Sequence, residues 1–600
     1  MNNYQKYKER TPEETIYEVQ GILSRIGVYP VLRWTGECRE GFYSNRITLY
    51  PTNIGTNGKG TDELYSTASG YGELMELMEN GMLFDRLFDS EKYGELGFEE
   101  APDENVIPLE ELLKNPDPFT ETTLSALQCE DEASDGKALC RLYSYEKNGQ
   151  AVVDTVPFAD PANNRVIQVP FFILRRFTGS NGMAAGNTME EALVQGLSEL
   201  FEREVMFRVL EGEIVLPEIP DSALEPYDFF ERIRELRESG MKVRVLDGSL
   251  GKGWPVVATV FHNPETGTFG IDFGSHPSFP VAVERTLTEA AQRKKLYDFA
   301  QSSCCGKAED SACNANRLNV SGIGSGVYPE SMFYRKPDWE YRPWTRFQRN
   351  GNPAFLKEMI RLLWEEGVSP LVRDSSFLGF PACHIVIPGF RPMHYFSGAN
   401  VRLKRTVNRA SASFKHFPFL TEEEVKRVQI LFRHWEHTHD KSVMGILKGI
   451  MPGHQYSNER IGAFLSLSIE DYAEAEYYFE KLARREGWGE KREYYSAMKD
   501  FCRMKKEGRD NPEIHAFLNC LRREDIAGRV ITDTGDYHVL LQRELPVLKC
   551  PDCASCSLKG TSCLHPAQEE LYVRIASHMK KENASQEELL NLLHPLYESL

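Results

Sequence analysis

The sequence predicts an α+β protein that continues into an all-helical domain and a short cysteine-rich knuckle. Three observations carry this prediction. Up to about residue 400, β-branched and aromatic runs alternate irregularly with stretches of helical periodicity. Beyond Asn400 helical patterns dominate, opened by Ser or Thr with an acid three residues on. Four of the 13 cysteines crowd between Cys550 and Cys563.

Taken in order, Ile16, Val19, Leu23 and Ile26 fall at helical spacing between Thr11 and Gly27, and a β-rich stretch follows from Val31 to Leu49. Residues 97–135 are acidic and proline-bearing and read as long loops with short helices. The runs 164–174 (NRVIQVPFFIL) and 254–262 (WPVVATVFH) are predicted strands, while 188–211 and 280–300 are predicted helices. Thr421 with Glu424, Ser468 with Asp471 and Ser585 with Glu588 mark helix starts, and IEDYAEAEYYFEKLARREG should end on Gly487. The expected division is 1–404 for the α+β domain, 405–545 for a helical, repeat-like domain, and 546–600 for the knuckle with a terminal helix.

Composition narrows the function classes. Lys and Arg number 70 against 89 Asp and Glu, and a net charge of −19 repels nucleic acid and anionic membrane. Neither is expected as a partner. No apolar run is long enough to span a bilayer, and MNNYQKYKERTPEE is too polar for a signal peptide. The expected compartment is the cytoplasm, with the scattered cysteines reduced.

The familiar nucleotide motifs are missing. GTNGKGT around Gly58 has neither the upstream glycine nor the Ser or Thr after Lys59 that a P-loop needs, and GIGSG at 322–326 is no dinucleotide fingerprint. What recurs is a stripe of acids. Ser69, Glu73 and Glu76 stand at i, i+4 and i+7, and Glu191, Gln195, Glu199 and Glu202 continue that progression to i+11. At about 100° per residue the second set spans a sector of roughly 80°, opposite Leu193, Val194, Leu197, Leu200 and Phe201. Arg285, Glu289 and Gln292 form a third stripe. An acidic stripe is ordinarily the solvated face of an amphipathic helix. Two copies of E-L-x-E, each read as following an Asn-Gly turn (Asn57-Gly58, Asn181-Gly182), weigh equally for one shared site. Clustered carboxylates need cations, and Mg²⁺ takes carboxylate and phosphate oxygens. Arg203 and Arg285 would face the phosphates.

SNGMAAGNTMEEALVQGLSELFERE resembles the signature of the YcaO family, and TNGKG, LPEIP, DGSLG and HPSFPVAVERTLTEAAQ match its other segments in order, over about residues 1–400. The resemblance implies a YcaO-type ATP-binding domain without a P-loop. Carboxylates there hold Mg²⁺, and ATP phosphorylates a backbone amide oxygen of a peptide or protein, which a nucleophile then replaces. Carried over position by position, Glu73, Glu76, Glu199 and Glu202 would hold Mg²⁺. Lys8, Ser69, Asn187, Glu191, Gln195, Arg203 and Arg285 would bind the nucleotide, with Arg285 and Glu289 as catalytic residues. Thr15, Ala184 and Leu77 depart from the family's usual Ser, Ser and Arg. The closing HPLYESL lacks the proline-rich tail of azoline-forming members and resembles the stand-alone type, accessory factors for methylthiolation of a small-subunit ribosomal protein. That type is the alternative to direct catalysis, with a methylthiotransferase or ribosomal protein as partner. A homodimer is left open.

Cys550, Cys553, Cys556 and Cys563 supply four thiolates for one metal centre, with zinc and an iron–sulfur cluster both open and His565 a substitute ligand. His434, His437 and His439 are read as partners of helix-end carbonyls, and Cys304, Cys305 and Cys313 as loop residues.

Overall fold

The computed structural model describes residues 7–35, 43–84, 96–127, 135–291, 303–306, 313–349, 351–394, 401, 416–438, 457–545, 547, 552, 554–557, 563–598 and 600. The chain divides into two compact units, one of residues 1–84, 92–398 and 570–600, the other of residues 85–91 and 399–569.

In the first unit, helix α1 (Pro12–Arg25) opens on a capping box in which Thr11 and Glu14 satisfy each other's backbone N–H groups. Strands β1 (Tyr29–Trp34), β2 (Tyr43–Tyr50) and β3 (Gly55–Gly60) form an antiparallel sheet in that order. Helix α2 (Glu63–Glu79), capped by Asp62, lays Tyr71, Leu74, Met75 and Met78 into one core with Val19, Leu23, Ile47 and Leu49. The expected Asn57-Gly58 turn is therefore corrected to strand. Gly58 sits inside β3, where a Cβ would overlap the Ser66 carbonyl oxygen, so its lack of a side chain lets β3 press against α2.

A seven-stranded sheet runs in the order β4 (Asn105–Pro108), β6 (Gln150–Asp160), β14 (Leu371–Asp374), β15 (Ala382–Val386), β8 (Met183–Ala185). Strands β5 (Tyr145–Lys147) and β7 (Arg165–Pro170) also pair with β6. The region 97–135, read as long loops or an insertion with short helices, contributes an edge strand followed by two short helices, Leu109–Lys114 and Pro118–Ser125. Strand pairing in the 164–174 run stops at Pro170, which supplies no N–H, and the chain winds into helical turns from Phe171 to Thr178. Strands β9 (Lys242–Asp247), β10 (Val256–Asn263) and β11 (Thr268–Ser275) make a further antiparallel sheet, with β10 central and Val257 opposite Asp247.

Helix α3 (Met189–Leu210) buries Leu193, Val194, Leu197 and Phe201 with Ile385 of β15, Val256 of β10 and Trp254 just before it. Helix α4 (Phe279–Ala291) packs on β10 and β11, and α5 (Asn352–Glu365) adds Phe355, Met359 and Leu363 to the α3 core. Cys304 and Cys305, expected in a loop, form strand β12 in parallel with β13 (Val327–Tyr328), and Cys313 opens a helix.

The last helix, α6 (Gln586–Glu598), was expected beyond a knuckle but belongs to this same unit. Leu589, Leu590 and Leu593 join the α3 core, while the Ser585 N–H donates to the Asp374 carboxylate and Gln586 exchanges two hydrogen bonds with the Asp374 backbone at 2.9 Å each.

Described by itself, the second unit is helical. Its helices include Glu422–Thr438, Asn458–Ser468, Tyr472–Arg485, Glu490–Lys506, Asn511–Leu521, Glu524–Asp533 and Tyr537–Glu544, around Phe464, Tyr478, Phe479, Met498 and Phe501. Thr421 and Glu424 form the expected capping box, but Ser468 ends a helix and Asp471 itself caps the next one through the Glu474 N–H. Cys550, Cys553, the side chains of His434 and His437, and His439 lie outside the described residues, as does Gln292. Among the described residues no three His, Cys, Asp or Glu side chains are already drawn together around a metal position, so a cation held by carboxylates would have to gather them, and no helix is long and apolar enough to cross a membrane.

Candidate active site

The three striped helices converge. α2, α3 and α4 line a cavity of about 630 Å³ with Ser69, Glu73 and Glu76 from the first, Glu191, Gln195, Glu199, Glu202 and Arg203 from the second, and Arg285 and Glu289 from the third. Lys8 and Asn187 also reach it. Every described residue assigned above to the nucleotide or Mg²⁺ thus faces one space, whose volume suits a small-molecule ligand. The helical periodicity explains why: the apolar faces of α2 and α3 are consumed by the cores, which turns their opposite stripes toward each other.

The carboxylates fall into two electrostatic groups. Burial alone would push the Glu191 carboxyl up, but the Lys8 ammonium at 2.9 Å, the Glu9 N–H at 3.0 Å and the Asn187 amide hold it below its ordinary range. The Asn187 carbonyl in turn accepts from Thr15 Oγ1 at 2.8 Å, so threonine serves where the family usually has serine. Glu191 is already neutralised by the protein. Glu73, Glu76 and Glu199 are not. Burial raises all three; for Glu76 repulsion from Glu199 and Glu73 adds to it and the carboxyl stands well above the usual range, while Lys59 beside Glu73 and Arg203 beside Glu199 offset part of the rise. Glu73, more open to the cavity, feels burial against a partial offset from Lys59. Arg203 offsets part of the charge, donating to Glu202 at 2.8 Å and lying 3.5 Å from Glu199, whose other oxygen accepts the Gly182 N–H at 3.2 Å. Gly182 holds φ at +81° with its Cα against the Ile385 carbonyl, a position closed to any side chain.

An all-oxygen set of under-neutralised carboxylates fits a hard divalent cation. Glu73, Glu76, Glu199 and Glu202 would hold it. On the cationic side, Arg285 donates to the Ser275 carbonyl at 2.6 Å and to Gln195, which fixes its guanidinium at the cavity wall.

Sequence reasoning missed several lining residues, among them Lys59, His276, Asn352 and Tyr7. Lys59, on β3, pairs with Glu289 of α4 across 230 residues of sequence, and burial draws its ammonium down to about 8. His276 is buried beside the Tyr7 ring, accepts the Ser278 N–H at Nδ1 and is kept neutral by burial and by Arg285 and Lys8. Asn352, at the start of α5, donates to the Tyr7 carbonyl at 2.8 Å and to Glu9 at 2.7 Å, which ties the N-terminal strap over the cavity. Only Lys59 left a signal, a lysine between two glycines in a strand; the others meet through long-range packing. Glu79, one turn past Glu76, faces the other way and accepts the Leu378 and Phe380 N–H groups, so it is structural.

A family model described as "YcaO cyclodehydratase", ATP- and Mg²⁺-binding, matches residues 57–391. The chain belongs to the YcaO family. It is 32% identical over 341 residues to the ribosomal protein S12 methylthiotransferase accessory factor YcaO of Escherichia coli, covering 56% of this chain and 58% of that one. An uncharacterized protein of Haemophilus influenzae is 30% identical over 56% of this chain and 57% of its own length. The chain thus spans rather more than half the length of these relatives. Among solved structures, a heterocyclase in complex with substrate and cofactor gives a TM-score of 0.43 at 19% identity, covering 64% of this chain and 53% of that one. YcaO from Methanopyrus kandleri, bound with AMPPCP and Mg²⁺, gives 0.37 at 18% identity, covering 64% of this chain and 93% of that one.

Proposed function

We propose that this protein uses ATP and Mg²⁺ to phosphorylate a backbone amide oxygen of a peptide or protein and so prepares that carbon for attack by a nucleophile. The observation that supports the reading is the convergence of Glu73, Glu76, Glu199 and Glu202 in one cavity with the cations Lys59, Arg203 and Arg285. An amide oxygen is a poor leaving group, and transfer of the γ-phosphoryl from ATP makes it a good one. Mg²⁺, when bound, supplies charge neutralisation for the phosphates. Arg285, held by Ser275 and Gln195, presents its charge without reorganising, as stabilisation of a transferring phosphoryl group requires. Glu289, one turn further along α4 and paired with Lys59, would take the proton that the nucleophile loses on attack. The oxygen then departs as inorganic phosphate.

A second reading rests on the printed name of the E. coli relative: an accessory factor that binds ATP and serves a methylthiotransferase acting on a ribosomal protein. Phosphate release is measured with ATP, Mg²⁺ and candidate peptides, beside the peptide mass. Peptide-dependent release with a mass change supports the first reading. ATP binding with no peptide-dependent turnover supports the second.

A further inference from the structure

Lys8 and Lys59 are cavity lysines each held by one carboxylate oxygen, and Lys59 is the one with Glu73 and Glu202 as electrostatic neighbours. Lys8 is committed to Glu191, Arg203 to Glu199 and Glu202, and Arg285 to the Ser275 carbonyl and Gln195. Lys59 is bonded to one carboxylate oxygen, that of Glu289, which occupies one of the three donors of an ammonium. About a third of its side chain stays open to the cavity. Its backbone is rigidly placed. The Lys59 N–H reaches Ser69 Oγ at 3.5 Å, and the flanking Gly58 and Gly60 lie so close to α2 that a Cβ on either would overlap the Ser66 backbone. Strand β3 therefore carries a cation on a fixed base into the acidic end of the cavity, where Glu73 and Glu202 are its electrostatic neighbours.

Resting on the ATP reading above, we infer that Lys59 binds the terminal phosphate of the nucleotide and lets the site distinguish a nucleoside triphosphate from a diphosphate. The phosphate drawn toward the Glu73 and Glu202 carboxylates by their cation comes within reach of the ammonium. A phosphate oxygen can then replace Glu289 as its partner, and the exchange frees the Glu289 carboxylate for proton transfer. Lys59 thus does for this cavity what a P-loop lysine does in another fold, from a strand instead of a loop.

The test is calorimetry of the full chain with Mg²⁺ and either AMPPCP or ADP. In Lys59→Met, which keeps the apolar stem, AMPPCP affinity should fall roughly tenfold or more, the loss of one charge-assisted hydrogen bond, while ADP affinity stays within about twofold. Lys59→Arg should retain most of the discrimination, and Glu289→Gln should leave AMPPCP binding equal or tighter, because the ammonium no longer has to leave a carboxylate. An unchanged AMPPCP-to-ADP ratio in Lys59→Met overturns the inference while leaving ATP binding itself intact. Equal losses for both nucleotides, or a Glu289→Gln loss matching that of Lys59→Met, assign the pair to holding β3 against α4 and overturn it as well. Wild-type protein that binds neither nucleotide overturns both this inference and the reading on which it rests.

Discussion

At the scale of single residues, the cavity is defined by which acids the protein itself neutralises. Glu191 has Lys8, Asn187 and a backbone N–H; Glu76, at the cavity wall, has Glu199 and Glu73 for neighbours with a smaller offset from Lys59. A folded-state value raised above the unfolded one means that the native state holds more protons, so its stability falls as pH climbs from the ordinary carboxylate range through the raised one. A divalent cation replaces those protons. We therefore expect the rise in melting temperature on adding Mg²⁺ and ATP to grow as pH increases through that window; a rise independent of pH would mean the carboxyls are not displaced. Glu76→Gln should melt higher than wild type without ligand at neutral pH, by roughly 2–4 °C for each ~1 kcal/mol of repulsion relieved, and should lose the ligand-induced rise. Glu202→Gln should weaken Mg²⁺-dependent ATP binding by about tenfold or more in calorimetry. Equal affinities for wild type and variant would return the stripe to the status of solvated surface.

Elements aim these residues. Helix α3 can present four site positions because its i, i+4, i+8 and i+11 stripe lies opposite a core face, and its first turn is set by Thr188, whose hydroxyl accepts the Glu191 N–H at 3.2 Å. Strand β3 works by closeness. Gly58→Ala forces the strand away from α2, and urea denaturation should show a loss of about 1–3 kcal/mol, the usual cost of overpacking, with weaker nucleotide binding because Lys59 moves along with it. Full stability with normal binding would show that β3 tolerates displacement. The sequence made the acidic stripes legible because helical periodicity is local. It made Asn57-Gly58 look like a turn, since that dipeptide marks turns wherever nothing larger intervenes; here pairing with β2, Asn57 opposite Arg46, overrides it. The same happened at Ser468, where a residue suited to starting a helix finishes one instead.

The whole molecule shows what distance in sequence conceals. Helix α6 begins about two hundred residues beyond β15, yet it covers the apolar face shared by α3 and the seven-stranded sheet. Leu593 is 1% exposed there. Leu593→Ala should cost about 2–5 kcal/mol in the unfolding of the first unit, read by denaturation followed through nucleotide binding; a loss confined to the C-terminal segment, with the binding transition unmoved, would mean that α6 is dispensable to the site.

The amino-acid sequence by itself determined the α+β class, the helical region after Asn400 and the two acidic helices with their core faces, because each depends on a period of a few residues; the resemblance of its segments to a known family added the charged and amide residues that line part of the cavity. Tertiary structure alone decided that the three stripes meet, that Lys59 faces Glu289, that Tyr7, His276 and Asn352 complete the wall, and that the terminal helix belongs to the first unit. These pairings join segments up to hundreds of residues apart. No local pattern encodes such a partner; it is chosen by which apolar faces must cover one another, and the polar groups on their backs are carried into contact as a consequence.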